Sequence, residues 1–425
     1  MQTVIHHKSG LFFILIASAL LTGACTERDR VNIFDPNAGI DTLDMSVYII
    51  SADSVTTLSW FPPRTLNFVG FNLYRKSAVD PSFTQIATLP AQQSEYSDHD
   101  TEFDVQYTYY LTIQGENSES PPTRPLQVTP GPASYWVLDR FGLNIYKLTY
   151  DLRHKLVTKY AVWIPENLAL NTNNQLALVT YPQYRFAEIF KTNAGISIIG
   201  FTQFRHPYDC HYFPAQNRFW LTDSSGYLYR INSADGTVEL LDQTLNQPTQ
   251  ITRNNHAVYV LDRGNKQIVA YGADGNKIQT IKNMGLYQLN NPLFIHSAPS
   301  LSQLFIIDQT NANRVLYTYN PALNGAQKIY EADYLNTLQF DPENQTIWVS
   351  IDDPQNARLM QLSATGDRLS EIEGFGSIAD FKMNPLTKTL VVVDYKNGIV
   401  KHVRSDMTIV GISREAIYPF RVYIQ

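Results

Sequence analysis

Cysteine is almost missing from this chain of 425 residues: Cys25 and Cys210 are the only two. No disulfide framework can therefore staple the fold. Clustered positive charge is missing as well. Lysine and arginine number 33 against 39 aspartates and glutamates, for a net charge of -6, so no basic patch is present to neutralise a phosphate backbone. That excludes nucleic acid as a partner. Long apolar runs are absent too; Leu11 to Leu21 falls well short of the roughly 20 residues that span a bilayer. The chain carries no Gly-x-Ser-x-Gly elbow, no His-Glu-x-x-His, no phosphate loop, no EF-hand loop and no paired cysteines, which removes the common signatures of hydrolysis, metal binding and nucleotide binding. Its length exceeds one ordinary core, so two or three domains are expected.

What is there begins with a leader. Lys8 precedes the apolar run from Leu11 to Leu21, the layout of a secretory signal. The run ends in Leu21-Thr22-Gly23-Ala24-Cys25. This resembles the lipobox of bacterial lipoproteins, with the leucine one place further out than usual. The resemblance implies a diacylglycerol-type lipid on Cys25, loss of residues 1–24, and anchorage in the bacterial cell envelope, at the outer membrane on its periplasmic or surface face. An ordinary secretory signal with a chance cysteine is the alternative. Residues 25–42 are polar with Pro36 and Gly39 and read as a lipid-anchored flexible tether.

From 43 to 130 short alternating apolar runs recur between turn signals, as in an antiparallel sandwich. Trp60 is followed by Pro62-Pro63, then come "GFNLYR" at 70–75, "YSD" at 96–98 and "VQYTYYLTI" at 105–113. Together these resemble a fibronectin type III domain, with a tyrosine corner at Tyr107 or Tyr109. Pro130-Gly131-Pro132 then breaks the last strand.

The remainder, 133–425, repeats. Val-Leu-Asp-Arg occurs at 137–140 and again at 260–263, a separation of 123 residues or three units of 41. A search at that period finds an apolar strand ending at Asp139, Thr180, Asp223, Asp262, Asp308, Ser350 and Asp394, with a hydroxyl residue standing for the acid at two places. Each such strand leads through a polar loop to a second, a turn and a third, and a turn that is often proline-led opens a fourth. Four strands per unit of about 40 residues is a β-propeller pattern. The count is seven, with six or eight as alternatives. The repeat resembles NHL-type propellers, with features of the YWTD type in "YWVLD" and "FWLTD". Pro419 to Ile424 is a fourth-type strand after the last unit and is expected to complete the first, closing the ring. The predicted fold class is thus all-β, a fibronectin type III-like sandwich followed by a propeller.

The repeated aspartates are expected to be turn-closing residues, because a carboxylate at the end of a strand accepts backbone N–H bonds and serine or threonine does so more weakly. Chemistry is sought instead where loops converge on a channel mouth. Tyr208, Asp209, Gln250, Phe294, Asn336, Phe420 and Arg421 form the candidate contact set for an envelope or extracellular protein, peptide or glycan. No catalytic residue and no cofactor beyond the lipid is assigned. One alternative is a lactonase-like propeller hydrolase or lyase with calcium or zinc in the channel, drawing on Glu166, Asn167, Asp209 and Asn336, or on His206, Asp209 and His211. Another is a purely structural envelope component.

Overall fold

The structure is a computed structural model, and it describes residues 32–425 apart from 36, 37, 53, 54, 65, 299–301 and 312. The leader and Cys25 lie outside the described residues. Two compact units are formed, one from 59–96 and 108–126 with the stretch up to Tyr48, the other from 49–58, 97–107 and 127–425. No helix among the described residues is long and apolar enough to cross a membrane.

The first unit contains most of a four-stranded antiparallel sheet built from Gly70–Ser77, Thr84–Pro90, Tyr107–Gln114 and Leu126–Val128. Within it Trp60 meets the fully buried Phe71 edge to face, ring centroids 5.4 Å apart. Among residues that fall in the second unit, the Tyr107 hydroxyl accepts the backbone N–H of Glu102 at 3.0 Å. Tyr107, one of the two tyrosines expected at a corner, thus bonds the backbone five residues upstream.

Residues 135–424 form seven four-stranded antiparallel sheets. Six are consecutive in the chain. The seventh joins Tyr135–Asp139, Asn144–Leu148 and Lys155–Tyr160 to the last strand, Pro419–Ile424, which pairs with Tyr135–Asp139 in antiparallel register from Pro419↔Asp139 to Ile424↔Tyr135. The second strand is buried at every position in four sheets, as in Tyr135–Asp139, Val258–Asp262 and Leu390–Asp394, and at all but its end positions in the other three. It reads as an unbroken apolar run because both of its faces are covered. Tyr259 and Leu261 pack against Leu304 and Ile306 of the next sheet, while Val258 and Val260 pack against Trp220 and Leu228 of the previous one. Outer strands are the opposite; Ile196–Phe201 exposes most of its length.

The first strand of each sheet lies against the first strand of the next, from Asn167–Asn171 through Ile378–Met383 to Pro419–Ile424. Tyr423 closes the circuit: its hydroxyl accepts the Leu168 N–H at 3.1 Å and donates to Asn167. Sheets set face to face around a central opening are consistent with a β-propeller.

The aspartates do more than close their own turns. Asp223 Oδ2 accepts the N–H groups of Arg205 and His206 at 2.7 and 2.8 Å, and its Oδ1 accepts Ser225. Asp139 holds Ile417, Tyr418 and Gly142 in the same way. Asp308 takes Asn290 and Asn291, and Asp394 takes Gly376 and Ser377. Asp262 takes Asn246 together with the side chains of Asn265 and Gln267. Asp139, Asp223, Asp262 and Asp394 thus tie the loop leaving the strand to the loop that enters the innermost strand, and Asp308 holds the entering loop. Asp223→Ala would leave two inward backbone donors without an acceptor, so a loss of about 2 to 4 kcal/mol is expected. Thermal unfolding checks this; an unchanged midpoint would refute the clamp.

Thr180 and Ser350 are not substitutes for the acid. The Ser350 hydroxyl accepts Thr337 N–H at 3.1 Å, as Thr222, the residue before Asp223, accepts Asp209 N–H. Ser350 therefore stands one place earlier, and Ile351, paired with Leu335 as Asp223 is with Pro207, holds the acid's slot. Thr180 likewise precedes the slot, which Tyr181 fills; the Thr180 hydroxyl donates to the Tyr208 carbonyl of the next sheet.

Candidate functional site

A cavity of about 600 Å³ runs along the channel between the innermost strands. What faces it is decided by a β-bulge. In six of the seven sheets the register between first and second strand slips by one residue just after the strand begins, for example between Pro207 and Cys210, Pro248 and Gln250, and Pro419 and Arg421. A bulge re-aims the side chain it carries. At this level stand Asn167, Asp209, Gln250, Phe294, Thr337, Asp380 and Arg421, and two residues further along each strand stand Ala169, His211, Thr252, His296, Gln339, Lys382 and Tyr423.

Several of these side chains are fasteners between sheets. Asp209 Oδ2 accepts Ile251 N–H at 2.8 Å, Gln250 Oε1 accepts Ile295 N–H at 2.8 Å, and Asp380 Oδ2 accepts Val422 N–H at 3.2 Å. Each bond runs from one sheet to the backbone of the next. The other oxygens are also engaged. Asp209 Oδ1 takes Cys210 N–H and the Asn167 amide at 2.9 and 2.5 Å, and Asp380 Oδ1 takes Phe381 N–H and the Lys382 ammonium, both at 2.9 Å.

Burial sets the protonation of the wall. It pushes the Asp209 carboxyl up to about 6, against the Ile251 N–H and the Arg421 charge that favour its ionised form. Burial, helped by Arg253, pushes His211 down to about 4; burial, with Lys382 and His211 nearby, does the same to His296. Both imidazoles are therefore neutral at neutral pH. Burial works against the Arg421 guanidinium, yet Asp380, Tyr423, Glu166 and Asp209 hold its charge more firmly than usual. The Cys210 thiol is pushed up by burial and points to the Leu178 carbonyl, which makes it a wall residue.

The residues proposed from sequence fall at two levels. Asp209, Gln250, Phe294 and Arg421 share the bulge level, while Tyr208, Asn336 and Phe420 stand one residue earlier, towards the mouth. Tyr208 lines the cavity with the first four; Asn336 and Phe420 do not line it. Asn336 donates to the Ile378 carbonyl of the next sheet. Phe420 is flanked by two guanidiniums, Arg140 at 4.3 Å and Arg421 at 4.8 Å from its ring, and Arg140 pairs with Glu166 at 3.2 Å. His206 bonds Ser224 at 2.5 Å, outside the cavity lining. Hence His206, Asp209 and His211 are not gathered into a metal site, and no group of three histidine, cysteine or acidic side chains among the described residues could hold one. Strand alternation from His211 and Asp209 would have identified His296, Lys382 and Tyr423 had the bulge been placed first.

No family model matches the chain, and no curated protein matches it. Solved structures do. It is similar to a functionally unknown protein from Desulfotomaculum acetoxidans DSM 771 at 11% identity and a TM-score of 0.55, over 68% of this chain and 98% of that one. It is also similar to a putative 6-phosphogluconolactonase from Bacteroides fragilis NCTC 9343 at 10% identity and a TM-score of 0.52, over 69% and 98%. A chain of a nidogen/laminin complex aligns at 14% identity and a TM-score of 0.46, over 69% and 98%. At such identities the likeness of the first two is one of fold. Fold and channel together define the class as an all-β, propeller-like protein.

Proposed function

We propose that this protein is a lipid-anchored component of a bacterial envelope whose seven-bladed propeller is a binding module for a protein, peptide or glycan. Cys25 carries the lipid, residues 26–42 are the tether, and a fibronectin type III-like domain is the spacer; the lipobox-like Leu21 to Cys25 and the Tyr107 bond support the first and last of these. One observation carries the binding reading. The cavity's two acids, Asp209 and Asp380, already accept backbone, amide or ammonium donors on both oxygens, so they hold the ring together. What the wall offers to a ligand is hydrogen bonding, shape and the Arg421 charge. The metal-hydrolase alternative lacks a gathered set of ligands among the described residues.

Two measurements test this. The full chain on peptide and glycan arrays should bind a defined set of ligands, and changes at the cavity wall such as Tyr208→Ala should weaken that binding; ligands indifferent to every wall variant would overturn the channel's role. Cys25→Ser should move the protein from membranes to the soluble fraction, because the acyl chains supply about 0.8 kcal/mol per buried methylene. Unchanged membrane fractionation would refute the anchor.

A further inference from the structure

We infer that the channel takes a sugar acid, a hydroxyl-rich monocarboxylate, with the carboxylate seated on Arg421. The inference rests on the binding reading above and names the chemistry of its ligand. Among the charged side chains at the bulge level, Asp209 and Asp380 are saturated by donors, whereas the Arg421 Nε is buried without any hydrogen-bond partner. A half-buried guanidinium whose Nε is a buried, unused donor is costly unless a ligand completes it, and its planar fork matches a carboxylate. A second orphan lies in the same wall. The Thr249 hydroxyl, one residue before Gln250, is buried with no partner.

The rest of the wall suits hydroxyl groups. His211 and His296, neutral imidazoles, line the cavity, and each can donate from one nitrogen and accept at the other. Formal charge on the lining is +1, Asp209 and Asp380 against Arg263, Lys382 and Arg421. A single negative charge can pair with Arg421, while a dianion such as a phosphate monoester meets two nearby carboxylates. The volume of about 600 Å³ is within the range of small-molecule sites.

Calorimetric titration of the full chain with D-glucuronate, D-glucose, acetate and glucose 6-phosphate tests the inference. Glucuronate should bind saturably, with glucose and acetate each on the order of tenfold to a hundredfold weaker. Arg421→Gln should erase the preference for glucuronate over glucose, and Arg421→Lys should restore part of it. Thr249→Val, which keeps the shape of the wall, should weaken both sugars alike and gives a second readout should Arg421→Gln fail to fold. Equal binding of glucose and glucuronate, no binding of glucuronate, tighter binding of glucose 6-phosphate, or an indifferent Arg421→Gln of unchanged thermal midpoint would each overturn it. Channel-dependent capture of a neutral glycan or peptide would overturn the sugar acid and leave the binding module standing; arrays with no channel-dependent ligand would overturn the module itself.

Discussion

Deleting residues 419–425 is expected to abolish cooperative folding of the ring. The strand Pro419–Ile424 supplies the inner edge of the first sheet, and without it Tyr135–Asp139 would present an unpaired edge. Losses spread beyond that edge. Val422 is fully buried in the cluster with Tyr135, Val137, Val391 and Val393, and its N–H is the donor that Asp380 receives from the neighbouring sheet. Tyr423 bridges to Asn167 and Leu168, and Gln425 exchanges both backbone bonds with Ser134 while accepting the Trp136 indole at 2.6 Å. Removing six or seven net hydrogen bonds at about 1 kcal/mol each, plus the buried valine at about 2, takes away a sum comparable to the 5–15 kcal/mol by which domains are stable. Circular dichroism melts and limited proteolysis should show loss of a sharp transition and cleavage within residues 133–418. A truncated chain melting at the midpoint of the intact one would refute closure by the last strand. Val422→Asp should reproduce much of the loss without shortening the chain.

That strand also shows what a single chain makes readable and what it hides. Its place was legible because Val-Leu-Asp-Arg recurs and the units are nearly equal, so an unmatched fourth-type strand after the seventh had one vacant partner. The role of Asp262 was legible for the same reason, as its relatives sit at equivalent ends of buried strands. Thr180 and Ser350 misled because a hydroxyl beside an empty acid slot looks like a substitute, and only the register, with Ile351 opposite Leu335, separates the two positions. The channel was harder. Its level structure depends on a bulge that breaks the period of two, so the contact set mixes Tyr208, Asn336 and Phe420 with Asp209, Gln250, Phe294 and Arg421, which stand one residue further along their strands. Bonds such as Asp209 to Ile251 span 42 residues and join adjacent sheets, a relation that no local spacing announces.

Acid is expected to unfold the protein well before its surface carboxylates are protonated, and His402 should carry much of that sensitivity. The side chain is fully buried. Its Nδ1 lies 2.8 Å from the Tyr150 carbonyl and its Nε2 2.6 Å from the Thr389 hydroxyl, with the Tyr150 and Tyr135 rings at 4.5 and 5.3 Å. Burial pushes it down to about 4, outweighing the Tyr150 carbonyl and Asp104, which favour the proton, while Arg404 adds to the depression. A base with a depressed folded value binds fewer protons folded than unfolded, so its contribution is complete above about pH 6.5 and is lost as pH falls towards 4. A depression of that size is worth about 3 kcal/mol. His211 and His296 act in the same direction, with less weight because they face the cavity and its water. Asp209 acts oppositely. An acid raised to about 6 binds more protons when folded, so it returns some stability as pH falls from 6 towards 4. His154, lowered by burial, and Asp308, raised by it, add one group of each sign, so four depressed histidines against two raised acids leave a net loss below pH 6.5. Urea unfolding at pH 7.5, 6.0, 5.0 and 4.5 should show the free energy declining through this window, and His402→Gln should flatten the decline while lowering stability at pH 7.5. A slope unchanged in His402→Gln would mean that this histidine is not what acid attacks.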